Sequence, residues 1–263
     1  MMQNYNYLSA NLIKKYSKLK QKKYRDEFQL FLAEGIKICE ELIHSDYDCE
    51  ALLVEQKYLG NNPHCKVIKN FAEKGIRILI TKSEFFNKIA DSKSPQGLIA
   101  IVEQKEINIA ADAKAFVAIE NSQDPGNLGT ILRTALWFGI RDIILSSNSV
   151  DIYNPKTVRS TMGNLFQLNI VYTEDLYNYC RKVYPEHRYY GASLEANSSI
   201  HDIAINERFG LFFGNEANGL TQDLVDKLDE LYIIPGAGLA ESLNLSVSAG
   251  ISLYHFTNQS RNK

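Results

Sequence analysis

The sequence predicts an α/β protein with two domains, the second built on a mainly parallel sheet. Short apolar runs alternate with amphipathic stretches along the whole chain, the pattern of strands joined by crossover helices. Three runs in the second half break into loops rich in Gly, Asn and Pro. Such loops at the carboxyl ends of parallel strands form the ligand crevice of an open α/β sheet.

The first domain spans residues 1–103. Ser9 caps a helix with Leu12, Ile13, Tyr16 and Leu19 on one face. Phe28 to Leu32 is a strand, followed by a helix through Ile36, Cys39, Leu42 and Ile43. Ala51 to Val54 is the next strand. Val67 to Phe71 lies in a helix that Gly75 stops, and Ile76 to Ile80 is a strand after it. Ser83 caps a short helix, Glu84 to Ile89, and the turn Ser94-Pro95-Gln96-Gly97 opens the strand Leu98 to Val102. Residues 104–114, polar apart from alanines and two isoleucines, are the linker.

In the second domain, residues 115–263, the strand candidates are Phe116 to Ile119, Ile143 to Leu145, Leu168 to Val171, Tyr189 to Ala192, Leu211 to Phe213 and Leu231 to Ile234. Helices fill most of the gaps: Leu128 to Phe138, one beginning at Asn154-Pro155, Asp175 to Val183 and Gln222 to Lys227. Pro155 suits a first helical position. A last helix runs from Asn244 to Phe256.

Composition narrows the function classes. The 263 residues are 45% apolar and 23% charged, ordinary for a globular protein. No apolar run approaches the roughly 20 residues of a membrane span, and the N-terminus lacks a signal core, so a cytoplasmic protein is expected. Cys39, Cys49, Cys65 and Cys180 show no CxxC spacing and the histidines no HExxH pair, so reduced structural thiols and no metal are expected. A net charge of −2 argues against a generic polyanion binder. Yet the first 25 residues hold seven cations (Lys14, Lys15, Lys18, Lys20, Lys22, Lys23, Arg25), no acid, and Tyr5, Tyr7, Tyr16 and Tyr24. That patch suits phosphates with rings for stacking, and equally a solvated helix face.

The three loops carry the chemistry. In FVAIENSQDPGNLGTILRTALWFGI, Phe116 to Ile140, a strand breaks at Ser122 to Asn127 and enters a helix for which Asn127 is the expected N-cap. Arg133 sits inside that helix. A strand, a glycine turn, a helix N-terminus and an arginine suit a phosphate-bearing substrate, or merely a corner in the chain. Gly210 to Leu220, GLFFGNEANGL, leaves a strand through Gly214 and Gly219 with Glu216 between them. Ile233 to Ser248, IIPGAGLAESLNLSVS, leads through a glycine loop to Ser242 and to Asn244, a plausible cap of the last helix. Gly126 and Gly129 do not make GxGxxG and no Walker lysine follows, which excludes a Rossmann-type nucleotide enzyme.

In order and spacing, DPGNLGTILRTALWFG, GNEANGL and IPGAGLAESLNLSVSAGI resemble the three motifs of the SpoU/TrmH branch of the SPOUT RNA methyltransferases. NPKTVRSTMG, Asn154 to Gly163, is a secondary match, and FLAEGIKICEEL and SPQGLIAIV resemble the family's ribosomal-protein-like substrate-binding domain. The resemblance implies a C-terminal SPOUT domain with a trefoil knot, a homodimer whose active site draws on both subunits, and methyl transfer from S-adenosylmethionine to a ribose 2′-hydroxyl of rRNA or tRNA. By motif position it implies cofactor contacts at Gly214, Ile234 and Leu243, substrate and catalytic roles for Asn127 and Arg133, and further site roles for Glu216, Ser242 and Asn244. Arginine is a poor base, so Arg133 is expected to bind phosphate and stabilise the oxygen, with Glu216 orienting it or taking the proton. Gly236 stands where methionine is common, and Ser122 where an apolar residue is common. The rival within the family is a catalytically silent RNA-binding protein.

Overall fold

A computed structural model describes residues 5–60, 62–109 and 112–261. Residues 1–4, at the head of the basic segment, 110–111 of the expected linker, and 262–263 at the end of the second domain lie outside the described residues. The chain forms two compact units, Met1–Glu106 with Asp151–Phe166, and Ile107–Val150 with Gln167–Lys263.

The first unit contains β1 (Asn6–Tyr7), α1 (Ala10–Ser17), α2 (Lys22–Phe28), β2 (Leu30–Glu34), α3 (Ile36–Ile43), β3 (Cys49–Glu55), α4 (Asn62–Glu73), β4 (Ile78–Thr81), α5 (Ser83–Ile89) and β5 (Leu98–Glu103). Its sheet runs β1-β4-β3-β5-β2, with β5 antiparallel to both neighbours and the other pairs parallel. Runs such as LFLAE and LIAIV are buried on both faces, as continuous apolar strands must be. Tyr16, Leu19, Phe86 and Ile89 cover one face of it. Ser9 caps α1, its Oγ accepting from the Leu12 N–H at 3.4 Å. Gly75 stops α4 at φ +76°, and the next N–H, that of Ile76, donates to Phe71 O at 3.0 Å.

Some boundaries differ from the expectation. Phe28 ends α2 instead of opening β2, because Gln29 turns left-handed at φ +53° between them. The charged run KKYRDEF has little apolar periodicity to reveal a helix. Ser83 is the first residue of α5, and Lys82 precedes it without a side-chain cap.

The second unit contains β6 (Ala115–Ile119), α6 (Pro125–Trp137), β7 (Asp142–Ser146), then, after α7 (Pro155–Ser160) of the first unit, β8 (Asn169–Thr173), α8 (Leu176–Val183), β9 (Arg188–Ala192), β10 (Phe209–Phe213), α9 (Gln222–Val225), β11 (Glu230–Tyr232) and α10 (Leu245–Arg261). The sheet order is β11-β9-β10-β6-β7-β8, and every neighbouring pair is parallel. The mainly parallel α/β fold is thus observed. All six carboxyl ends lie at one edge of the sheet. Phe116, Tyr184, Tyr189 and Phe212 form an aromatic core on one face. Beneath it the Tyr184 hydroxyl donates to Asp142 Oδ2 at 2.6 Å.

The segment Asp151–Phe166, which holds NPKTVRSTMG, packs with the first unit although the sequence places it in the second domain. Asn154 caps α7 with Pro155 in its first turn. The Tyr153 ring stacks on Phe31 at 4.4 Å, and Phe166 meets Tyr47 edge-on at 5.2 Å. Gly163 lies so close to α3 that a Cβ there would sit 2.6 Å from the Glu41 Cβ.

Candidate active site

Strand order reverses between β6 and β10, which sets the loop after one beside the loop after the other. The ladder continues past the strands, the Glu120 N–H donating to Phe213 O at 2.8 Å. Asn121 then turns left-handed at φ +53°, a conformation asparagine tolerates better than most residues. Its backbone is bonded on both sides. Its N–H donates to Ser146 Oγ at 2.8 Å, and its carbonyl accepts from Asn215 Nδ2 at 2.7 Å.

After β10 the chain closes a tight loop. The Asn215 N–H donates to Gly219 O at 2.8 Å, and the Gly219 N–H returns the bond at 2.9 Å. Only glycine fits at 214, since a Cβ would lie 2.0 Å from the Gly219 carbonyl carbon. The loop turns Glu216 toward the β6 loop. Its Oε1 accepts from Ser122 Oγ (2.9 Å), the Asp124 N–H (3.2 Å) and Asn127 Nδ2 (3.4 Å), while Oε2 accepts from the Gln123 N–H (3.0 Å). Burial pushes this carboxyl up, but the N–H groups of Gln123, Glu216 itself and Asp124, with the Ser122 hydroxyl, outweigh it. The result lies below the ordinary glutamate value.

Asp124, not Asn127, caps α6: its Oδ1 accepts from the Asn127 N–H at 2.8 Å and Pro125 occupies the first turn. The expected cap at Asn127 is thus corrected: the Pro125 ring suits the first helical position, which makes the residue before it, Asp124, the cap. Asn127 therefore lies inside the first turn with its side chain available. Its Oδ1 accepts from Asn244 Nδ2 at 3.0 Å. Asn244 caps α10, accepting from the Ser246 N–H at 2.9 Å and Ser246 Oγ at 2.6 Å. One hydrogen-bonded chain, Glu216–Asn127–Asn244, thus joins residues from all three motif blocks.

The other candidates stand outside that chain. Arg133 is exposed and makes no hydrogen bond or ion pair among the described residues, so Glu216 does not hold it here. Ser242 and Leu243 are exposed in the loop before α10, and Ile234 is half-buried at its start. Ile233 anchors the loop, donating to Ser198 O at 2.9 Å and accepting from the Ile200 N–H at 2.8 Å. From 234 to 243 no N–H or C=O is bonded within the chain among the described residues, and Leu239 and Leu243 are exposed. A Cβ at Gly236 would meet nothing within 4 Å. Free amide edges beside exposed leucines match the needs of an adenine ring and a thioether chain, so these residues fit S-adenosylmethionine. The described residues contain no group of three His, Cys, Asp or Glu placed to hold a metal ion.

Sequence reasoning missed Asn121, Ser122 and Asn215 as parts of the site. The polar Ser122 at an otherwise apolar motif position was the available signal, and its burial at 0% exposure beside Glu216 explains it.

The SpoU rRNA Methylase family model matches residues 114–254, and the model of the MRM3-like substrate binding domain matches residues 10–100. The chain is 32% identical over 244 residues to the 23S rRNA (guanosine(2553)-2′-O)-methyltransferase RlmP of Bacillus subtilis (strain 168), covering 92% of this chain and 94% of that protein. It is 25% identical to the 23S rRNA (guanosine-2′-O-)-methyltransferase RlmB of Xylella fastidiosa (strain 9a5c), over 82% of this chain and 90% of that one. The AdoMet-bound rRNA methyltransferase from Sinorhizobium meliloti superposes with a TM-score of 0.84 at 30% identity, covering 97% of both chains. With its catalytic motifs, its substrate-binding module and relatives matched over nearly their whole length, this chain belongs to the SpoU rRNA methylase family.

Proposed function

We propose that this protein transfers a methyl group from S-adenosylmethionine to a ribose 2′-hydroxyl of RNA, ribosomal RNA as in its relatives before transfer RNA. The observation that carries this is the Glu216–Asn127–Asn244 chain at the carboxyl ends of β6 and β10, beside the unbonded backbone of residues 234–243. When bound, the donor supplies a methyl group on a sulfonium centre. The Gly214 and Ile234 backbone and Leu243 would hold it. Asn127 and Asn244 fix the floor on which the ribose is placed, so the acceleration comes largely from alignment. Ser242 lies in the same loop as Leu243 and reaches the substrate from there.

Glu216 works as a fixed anion, not as the base, because its donors hold the carboxyl below the range in which it would take a proton near neutrality. Arg133, with its guanidinium unpaired among the described residues, binds the phosphate next to the target ribose and stabilises negative charge on the oxygen. As the methyl–oxygen bond formed, the methyl–sulfur bond would break to leave adenosylhomocysteine and the hydroxyl proton would pass to water. Nothing on this site favours a catalytically silent RNA binder.

The reading includes a homodimer in a cytoplasmic setting. Val247, Ile251 and Tyr254 form an exposed apolar stripe along α10, with the exposed Leu243 in the loop before it, and Trp137 on α6 is 82% exposed. Arg133 lies one turn before Trp137 on the same face of α6, so a partner docked there would border the arginine. No helix among the described residues is long and apolar enough to cross a membrane.

Transfer of labelled methyl groups to deproteinised 23S rRNA tests the proposal, with 2′-O-methyl mapping of the product. Label on a base, or no uptake of donor or adenosylhomocysteine by calorimetry, refutes it.

A further inference from the structure

We propose that a strip of lysines on the first unit, Lys14, Lys18 and Lys23, is a docking surface for the sugar-phosphate backbone of the substrate RNA. The inference rests on the RNA methylation reading and adds where the RNA lies away from the site. Lys18 is the C-cap residue of α1, in helical conformation, one turn after Lys14. Its Nζ lies 4.5 Å from the Tyr24 ring centroid, and Lys23 Nζ is 5.7 Å from the same centroid. None of the three forms an ion pair among the described residues, whereas Lys15 pairs with Glu50 at 3.0 Å and Lys22 with Asp26 at 2.8 Å. Asp26 is the first acid in the chain, so this cationic strip stands in a protein of net charge −2. The excess is local.

Two features make it more than a solvated helix face. Tyr24, stacked against Phe28 at 6.1 Å, carries two ammonium groups on its ring, which limits the freedom they would lose on meeting phosphates. The turn beneath is rigid. Arg25, 2% exposed, donates Nη1 to Leu19 O at 3.0 Å and Lys20 O at 2.9 Å, and its Nε and Nη2 to Asp151 Oδ2 at 2.9 and 2.5 Å. Two ammoniums held over one ring, with Lys14 one helical turn from the first, suit a polymer of regularly spaced phosphates, whose binding releases counterions whatever its sequence.

The test measures full-length protein against a labelled mixed-sequence RNA oligonucleotide by fluorescence anisotropy across a KCl series. The triple variant Lys14→Gln, Lys18→Gln, Lys23→Gln should flatten the plot of log affinity against log salt by about 2 to 3 and weaken binding about tenfold near 0.1 M salt. The control Lys66→Gln, Lys82→Gln, Lys93→Gln removes the same charge from exposed sites elsewhere on the unit and should change neither by half as much. Tyr24→Leu should keep the slope but weaken binding about two- to fivefold, because only the ordering of the lysines is lost. Adenosylhomocysteine affinity, read by calorimetry, should be the same in all. If wild type binds and methylates RNA and the triple variant matches the control, the surface is wrong and the function stands. If wild type neither binds nor methylates RNA, both fall. Loss of binding to anionic phospholipid vesicles with RNA binding intact would assign the strip to a membrane and overturn the proposal.

Discussion

Replacing Glu216 by Gln separates an anchoring role from a proton-accepting one. The carboxylate receives bonds from the Ser122 hydroxyl, two backbone N–H groups and the Asn127 amide. Glutamine offers one oxygen. With that oxygen at the Oε1 position, its NH2 faces the Gln123 N–H, donor against donor, and three charge-assisted bonds become neutral ones. A stranded donor costs about 1–3 kcal/mol, and partial exposure places this one near about 1–2 kcal/mol. That amounts to roughly 2–6 °C in melting temperature for a domain of this size. Asn127 loses its best acceptor, so kcat should fall about ten- to a hundredfold while KM for the donor stays within about threefold. The pH dependence has a definite sign. A carboxyl held below its unfolded value near ~4.3 stabilises the fold fully above that value, and the contribution fades as pH falls through the folded pKa. Denaturant curves of wild type and Glu216→Gln should therefore run a constant distance apart from neutral pH to about 5 and converge below about 4. Loss of all turnover with an unchanged melting curve would make Glu216 the base and refute the reasoning.

Three further outcomes follow from the geometry. Arg133→Ala removes no side-chain bond seen among the described residues, so melting should not move while turnover drops by at least about tenfold and donor affinity stays within about twofold; equal loss of both would make Arg133 a support of the fold. Asn244→Ala removes the α10 cap and should cost about 1 kcal/mol, whereas Asn244→Ser restores the cap and its stability but not the link to Asn127, so turnover should stay low in single-turnover assays. Trp137→Ser combined with Ile251→Asp should shift light-scattering mass from about twice the 29.8 kDa chain toward a single chain, and activity should fall with it.

Much of this was legible from the residues because the governing signals are local. Continuous apolar runs mark the buried strands of the parallel sheet, and Pro155 after Asn154 and Gly75 after a helix mark termini by backbone chemistry alone. What stayed hidden depended on partners far away. The helix Lys22–Phe28 is charged, and its buried residue is Arg25, whose carboxylate partner lies 126 residues on. Ser122 read as a departure from a motif until Glu216, 94 residues away, was placed beside it. The grouping of Asp151–Phe166 with the first unit is likewise set by tertiary partners, Phe31, Tyr47 and Arg25.

The displacement of the cap from Asn127 to Asp124 bears on the chemistry. An N-cap asparagine spends its Oδ1 on the helix N–H groups. Here Asp124 satisfies the Asn127 N–H, so the Asn127 amide has both ends available. Their direction is then forced. Glu216 is ionised and can only accept, so the NH2 of Asn127 must face it and the Oδ1 must face Asn244. Asn244 has only its own NH2 to offer, because its Oδ1 is occupied by the Ser246 N–H and hydroxyl. The orientation of two amides is thus dictated by one carboxylate charge at one end and one helix cap at the other. Protonating Glu216 would remove the only member that cannot donate, and the chain could then reverse. A lowered carboxyl pKa is in this sense what gives the proposed ribose floor a single arrangement at neutral pH, and it argues for an anchoring role for this carboxylate over that of proton acceptor.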